Sequence, residues 1–178
     1  VLTRAGAQFV TPLSVSALAG QKVFSDLFDL TDEAEMGHIE LSRSADLVVV
    51  APATADLMAK MATGLANDLA STLLLATDTQ VLLAPAMNDQ MWNQASNLRN
   101  VDQVLADGFT MVGPGVGWQA CRHTGTGRMS EPADICRASC EAMGKRAGKG
   151  AGGAWLARAE HLHSLLNPAR GPVSPTAD

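Results

Sequence analysis

The apolar run Val81-Leu82-Leu83-Ala84 stops at Pro85 and passes directly into Ala86-Met87-Asn88-Asp89-Gln90-Met91-Trp92. Four consecutive apolar residues without alternation fit a strand buried on both faces, and proline, which lacks the N–H that a sheet ladder needs, ends it. Such a strand belongs in a parallel sheet with helices on each side. The residues after Pro85 then stand at the carboxyl edge, where open parallel sheets bind ligands. Asn88, with two donors and one acceptor on a short stem, is therefore placed to orient a polar substrate. The same residue is also suited to capping a turn, with Met87, Met91 and Trp92 filling core.

The rest of the chain alternates in the same way. Residues 12–18 predict a short helix opened by Pro12, and a loop follows through 23–35. His38 then leads a short helical pass, with Ile39, Leu41 and Ala45 on one side, into a strand over 46–51. Helices are expected over 57–62, ended by Gly64, and over 68–76, ahead of the strand at Val81. Leu98, Val101, Val104 and Leu105 recur at helical spacing within 94–107, with Gly108 as the stop, and 109–112 reads as a short strand. Beyond it, Gly113, Gly115, Gly117, Gly125 and Gly127 surround Cys121 in what reads as a mobile loop. The alternation predicts an α/β fold, an open parallel sheet with helices on both faces.

Composition narrows the function classes. A chain of 178 residues is one domain's worth, and its net charge of −5, without a basic run, argues against a nucleic-acid partner. The longest apolar stretches, 47–55 and 81–87, are too short to span a bilayer, and the first residues lack a signal peptide's pattern, so a cytoplasmic location is expected. Cys121, Cys136 and Cys140 form no Cys-x-x-Cys pair, and neither a structural zinc nor any other metal site is expected. Cys136 and Cys140 share a face if their segment is helical and read there as small, half-buried residues.

Residues 85–92 match Pro-x-Met-Asn-x-x-Met-Trp and resemble the signature of the flavin-dependent cysteine decarboxylases. Three further blocks agree in order. Gly37-His38-Ile39-Glu40-Leu41 resembles the family's His-Ile-x-Leu segment, and Ala51-Pro52-Ala53-Thr54-Ala55-Asp56 its Pro-Ala-Ser-Ala-Asn-Thr loop. Ala120-Cys121-Arg122-His123-Thr124-Gly125-Thr126-Gly127-Arg128-Met129 looks like the substrate clamp of phosphopantothenoylcysteine decarboxylases, which form the front half of a bacterial bifunctional coenzyme A biosynthesis flavoprotein. The resemblance spans residues 1–135 and implies a flavodoxin/Rossmann-like flavoprotein that uses FMN to decarboxylate 4'-phosphopantothenoylcysteine to 4'-phosphopantetheine.

By the same resemblance His38 is the general base, Asn88 orients the substrate's amide and carboxylate, and Cys121 returns a proton that closes the cycle without net redox change. Met87 and Arg128 are the further substrate contacts it implies, and Thr3, Ala53, Thr54, Ser71 and Thr72 the cofactor contacts. Local readings stand beside these: His38 as a helix-start hydrogen-bonder, Ser71 and Thr72 bonding back to the preceding turn, Met87 as core, and Arg128 anchoring the clamp to Glu131. Family members assemble as trimers with the flavin at a subunit boundary, which implies a homotrimer or an assembly of trimers here, with a phosphopantothenoylcysteine synthetase domain or protein as a partner.

The chain also departs from the pattern. Asp56 and Leu57 stand where the family has Asn and Thr, and Arg122 and His123 where the clamp has Gly and an acidic residue. Val1-Leu2-Thr3-Arg4-Ala5-Gly6-Ala7 resembles the end of the family's second strand and the loop after it, so the first βα unit, with its phosphate-holding turn, is expected to be missing from a fragment. Residues 1–140 are expected to form the decarboxylase domain and 141–178 a linker and poorly structured tail, in which His161 and His163 read as solvated. The competing readings are a peptide-cysteine decarboxylase or flavin prenyltransferase of the same fold, or a non-catalytic flavin-binding regulatory subunit.

Overall fold

The computed structural model describes residues 1–26, 41 and 44–147. After a 3-10 turn at Gly6–Gln8 come α1 (Pro12–Ala19), β1 (Val48–Ala53), α2 (Ala55–Thr63), α3 (Leu69–Ala76) and β2 (Val81–Pro85). Beyond β2 lie α4 (Asp89–Trp92), α5 (Ala95–Ala106), β3 (Thr110–Met111), β4 (Gly115–Trp118), β5 (Thr124–Arg128) and α6 (Pro132–Ala147).

All of β2 is buried, as its unbroken apolar sequence requires. It is the middle strand of a three-stranded parallel sheet ordered β1-β2-β3. Val81 and Leu83 enter a core with Ala53, Met58 of α2, Leu74 of α3, and Val101 and Val104 of α5. Leu82 and Ala84 alternate to the other face and are buried too, and α6 packs against the same strand. The architecture is thus the expected parallel sheet flanked by helices.

Local chemistry sets the boundaries. Thr54 N-caps α2, so the helix starts two residues before the apolar pattern does, and Gly64 ends it in the left-handed region at φ +68°. Asp68 opens α3 with a reciprocal capping box to Ser71. β1 runs on to Ala53, with a register slip between Val50 and Ala53 where Pro52 has no N–H to donate. In α5 the buried stripe is narrower than the spacing predicts: Val101 and Val104 are buried, whereas Leu98 and Leu105 are 41% and 46% exposed.

Three expectations are corrected. Residues 113–127 are not a loose loop, since β4 and β5 pair as an antiparallel ribbon, Val116 opposite Thr126 and Trp118 opposite Thr124. β-Branched and aromatic residues alternate there with the glycines and supply the strand preference that glycine lacks. Residues 1–7 form no strand; Leu2 N–H bonds Phe24 C=O at 2.9 Å and the chain turns into the 3-10 segment. Finally, α6 crosses the boundary expected at residue 140, and Ala142 is 7% exposed, which gives the helix a reason to continue. Cys136 and Cys140 lie half-buried on it.

Leu83→Ala is expected to lower stability by about 3 kcal/mol through lost burial and a residual cavity. Leu105→Ala is expected to stay within about 0.5 kcal/mol. Urea unfolding midpoints for the two variants check the contrast.

Candidate active site

β1 and β2 end side by side, and Ala86 N–H donates to Ala53 C=O at 3.1 Å, tying the two exits together at the carboxyl edge. Met87 and Trp92 pack onto the core cluster, whereas Met91 is 48% exposed. Asn88 serves as the cap of α4: its Oδ1 accepts from Gln90 N–H at 2.8 Å. Among the described residues its Nδ2 has no partner, so one end of the amide holds the turn and the other presents two donors.

The ribbon docks on this segment through bare backbone. Met87 N–H donates to Gly127 C=O at 2.9 Å. A Cβ on Gly127, at φ +128°, would collide with the Met87 carbonyl, and one on Gly125 would lie 2.7 Å from the Asp89 side chain. The two glycines are two apart on β5 and share a face, so this approach explains their spacing.

Cys121 lies exposed in the ribbon's turn, which closes through Arg122 N–H to Gln119 C=O and Gln119 N–H to His123 C=O, both 2.9 Å. Its Sγ donates to Gln119 Oε1 at 3.5 Å, and that oxygen also accepts from Asp89 N–H at 3.1 Å. Asn88 and Cys121, far apart in sequence, are thus linked through one buried glutamine. Sequence reasoning missed Gln119; its only signal is an amide next to the clamp cysteine, and the partner that explains it is thirty residues away. Arg128 crosses over Gly117 and pairs with Glu131 at 2.6 Å, leaving its side chain half exposed.

The residues expected to contact a cofactor are more dispersed. Ala53 is fully buried. Thr54 is exposed at the edge, its Oγ1 accepting from Leu57 N–H at 3.3 Å, and Thr3 Oγ1 accepts from Gly6 N–H at 3.1 Å. Ser71 is 3% exposed, with its hydroxyl spent on Asp68, while Thr72 next to it is half-buried. His38 lies outside the described residues, as do His161 and His163.

Asp68 also accepts from Lys60 Nζ at 2.8 Å, and Lys60 reaches Asp56 at 3.1 Å. Asp56, which departs from the family loop, is thereby occupied with a cation. The hydrogen bonds to Asp68 and then Asp56 raise Lys60 above its ordinary value, against desolvation. Burial pushes the Asp68 carboxyl up, but the bonds from Lys60 and Ser71 outweigh it and hold the group below its ordinary value.

The family profile described as Flavoprotein matches residues 1–144. The chain belongs to the flavoprotein family. This flavoprotein is 48% identical over 141 residues to the Coenzyme A biosynthesis bifunctional protein CoaBC of Vibrio cholerae serotype O1, an overlap of 79% of the chain and 35% of that protein. It therefore spans about a third of the length of the curated relatives it matches. Among solved structures, the FMN-dependent cysteine decarboxylase SpaF aligns with a TM-score of 0.68 and 28% identity, over 83% of this chain and 78% of that one. A cysteine-to-serine mutant of PPC decarboxylase complexed with pantothenoylaminoethenethiol aligns with a TM-score of 0.62 and 30% identity, over 84% and 81%.

Asp68→Asn keeps a capping side chain and removes the charge, so it isolates the pair with Lys60. A lowered carboxylate contributes stability above its unfolded value and loses it as pH falls through the folded one. The stability difference between wild type and variant is expected to be steady near neutrality and to shrink below pH 3.8. The raised lysine gives the opposite limb, with its contribution lost as pH climbs beyond 10.5. Urea unfolding across pH reads both limbs.

Proposed function

We propose that this chain carries out the FMN-dependent decarboxylation of 4'-phosphopantothenoylcysteine to 4'-phosphopantetheine, a carboxy-lyase step of coenzyme A biosynthesis. The observation that carries the reading is the shared Gln119 oxygen, which joins the Asn88 segment to the Cys121 turn at the ligand-binding edge of a flavoprotein fold. The identity to CoaBC and the likeness to PPC decarboxylase support the choice of substrate.

The edge fits a flat group of mixed polarity: exposed Ala51, Pro52 and Thr54 adjoin half-buried Met87 and the free Nδ2 of Asn88. Thr54 and Met87 would hold the flavin ring, over a floor set by the buried Ala53, and Thr3 and Thr72 its polar parts. Ser71, whose N–H and hydroxyl are both spent on Asp68, would contribute only by fixing the start of α3 beside it. When bound, the flavin supplies a two-electron oxidant that makes the substrate's thiol-bearing carbon an electron sink for the departing carboxylate, and later returns those electrons. Asn88 Nδ2 holds the substrate amide and carboxylate, and Cys121 Sγ delivers the proton that completes the saturated product. His38 takes up a proton as general base. Arg128, half exposed on the ribbon, can offer its remaining guanidinium donors to the substrate phosphate while it stays paired with Glu131.

A homotrimer belongs to the same reading, supported by the large apolar side chains left exposed at Phe9, Leu13, Leu18, Val116 and Trp118. So does a synthetase domain or protein as partner, supported by the bifunctional relatives. The reading places the chain in the cytoplasm; among the described residues no helix is long and apolar enough to cross a membrane.

The purified chain is expected to show flavin absorbance, to bleach on anaerobic addition of 4'-phosphopantothenoylcysteine, and to release carbon dioxide with recovery of the colour. A product that stops at the enethiol would replace this reading with that of a peptide-cysteine-type enzyme, and a colourless, inert protein would overturn it. Sedimentation equilibrium is expected to return three times the chain mass.

A further inference from the structure

We infer that Gln119 is a positioning residue that fixes the Cys121 thiol and the Asn88 segment in one geometry; its effect on product rests on the decarboxylase reading above, and its effect on the thiol does not. The side chain is 8% exposed and both ends of its amide are engaged. Oε1 accepts from Asp89 N–H at 3.1 Å and from Cys121 Sγ at 3.5 Å, while Nε2 donates to Thr126 C=O at 3.1 Å. The backbone of the same residue closes the cysteine's turn from both sides.

This pattern demands an amide. One end must accept from two donors and the other must donate to a carbonyl, and an uncharged amide carries both functions on one planar group at any ordinary pH. Asparagine is a methylene shorter and cannot span the same gap. A sulfur at 3.5 Å is held weakly, so the bond selects a thiol orientation more than it adds stability.

The partner on the other side gives the arrangement its meaning. Asp89 N–H is a free donor at the start of α4, and Gln119 satisfies it from outside the helix while Asn88 Oδ1 satisfies Gln90 N–H. With both donors met, Asn88 has its carbonyl end locked and its Nδ2 directed away from the turn. Cys121 and Asn88 therefore take their positions from the same side chain, and a displacement of one is passed to the other.

The test compares wild type, Gln119→Ala and Gln119→Glu in the full chain. Three readouts apply: hydrogen exchange at Asp89, iodoacetamide alkylation of Cys121 followed by peptide mass spectrometry, and carbon dioxide released per saturated thiol formed. Gln119→Ala is expected to speed Asp89 exchange by about fivefold. It is also expected to change Cys121 alkylation by about threefold and to release carbon dioxide in excess of saturated product. Gln119→Glu retains the acceptor but sets a carboxylate oxygen against the Thr126 carbonyl, so it is expected to restore Asp89 protection in part, while its negative charge slows alkylation below wild type.

Unchanged Asp89 exchange and unchanged alkylation in Gln119→Ala would overturn the inference. So would a uniform loss of protection across β2 and α5 in both variants, which marks a role in folding alone. Exchange and alkylation need no substrate. If wild type releases no carbon dioxide yet both respond as expected, the decarboxylase reading fails and the positioning role stands.

Discussion

Enclosure of β2 on both faces and both edges is the constraint on which the remaining structure depends. Every residue of that strand is surrounded, and its neighbours β1 and β3 take its hydrogen bonds. This strand can meet solvent only where it ends. The bond from Ala86 N–H to Ala53 C=O then forces the exits of β1 and β2 together, so the loop before α2 and the segment before α4 must share one edge. No additional device is needed to bring these two segments together.

The ribbon reaches that edge through peptide groups, and this divides the work among the residues of the motif. Met87 offers its side chain to the core and its N–H to Gly127. Asn88 splits its amide between the turn and the open side, and Asp89 gives its N–H to Gln119. Met87 and Asp89 thus meet structural demands with their backbone donors, and Asn88 alone of the three keeps a side-chain donor group open. The turn cap on Asn88 therefore leaves room for the recognition role proposed above.

Legibility in the sequence followed the range of the interactions. β2 could be read from four apolar residues and a proline, and the end of α2, the start of α3 and the end of α5 from Gly64, Asp68 and Gly108, because their causes lie within a turn of the residue concerned; the Thr54 cap of α2 was passed over because the apolar pattern begins only at Leu57. The order of the ribbon could not, because glycines at 125 and 127 read as freedom until Met87 and Asp89 are seen against them. Gln119 was invisible for the same reason, since Asp89, the partner that ties it to the Asn88 segment, lies thirty residues away. Ser71 is the mixed case. Its hydroxyl suits a phosphate or a capping box equally well on paper, and the neighbouring Asp68 decides for the box in this conformation. The exposure of Leu98 and Leu105 shows the limit of periodicity: spacing identifies a face, and only the neighbouring elements decide how wide a strip of it is covered.

Arg122 gives the turn a distinct character. It sits at φ +63°, a left-handed conformation that glycine enters without penalty and a residue with a Cβ enters at a cost of roughly 1 kcal/mol. Glycine there would also give the unfolded chain many more shapes to lose on folding. An arginine exchanges that freedom for a narrower set of backbone states around Cys121. The tip of the ribbon in this flavoprotein accordingly carries fewer alternative backbone states than a glycine would have given it.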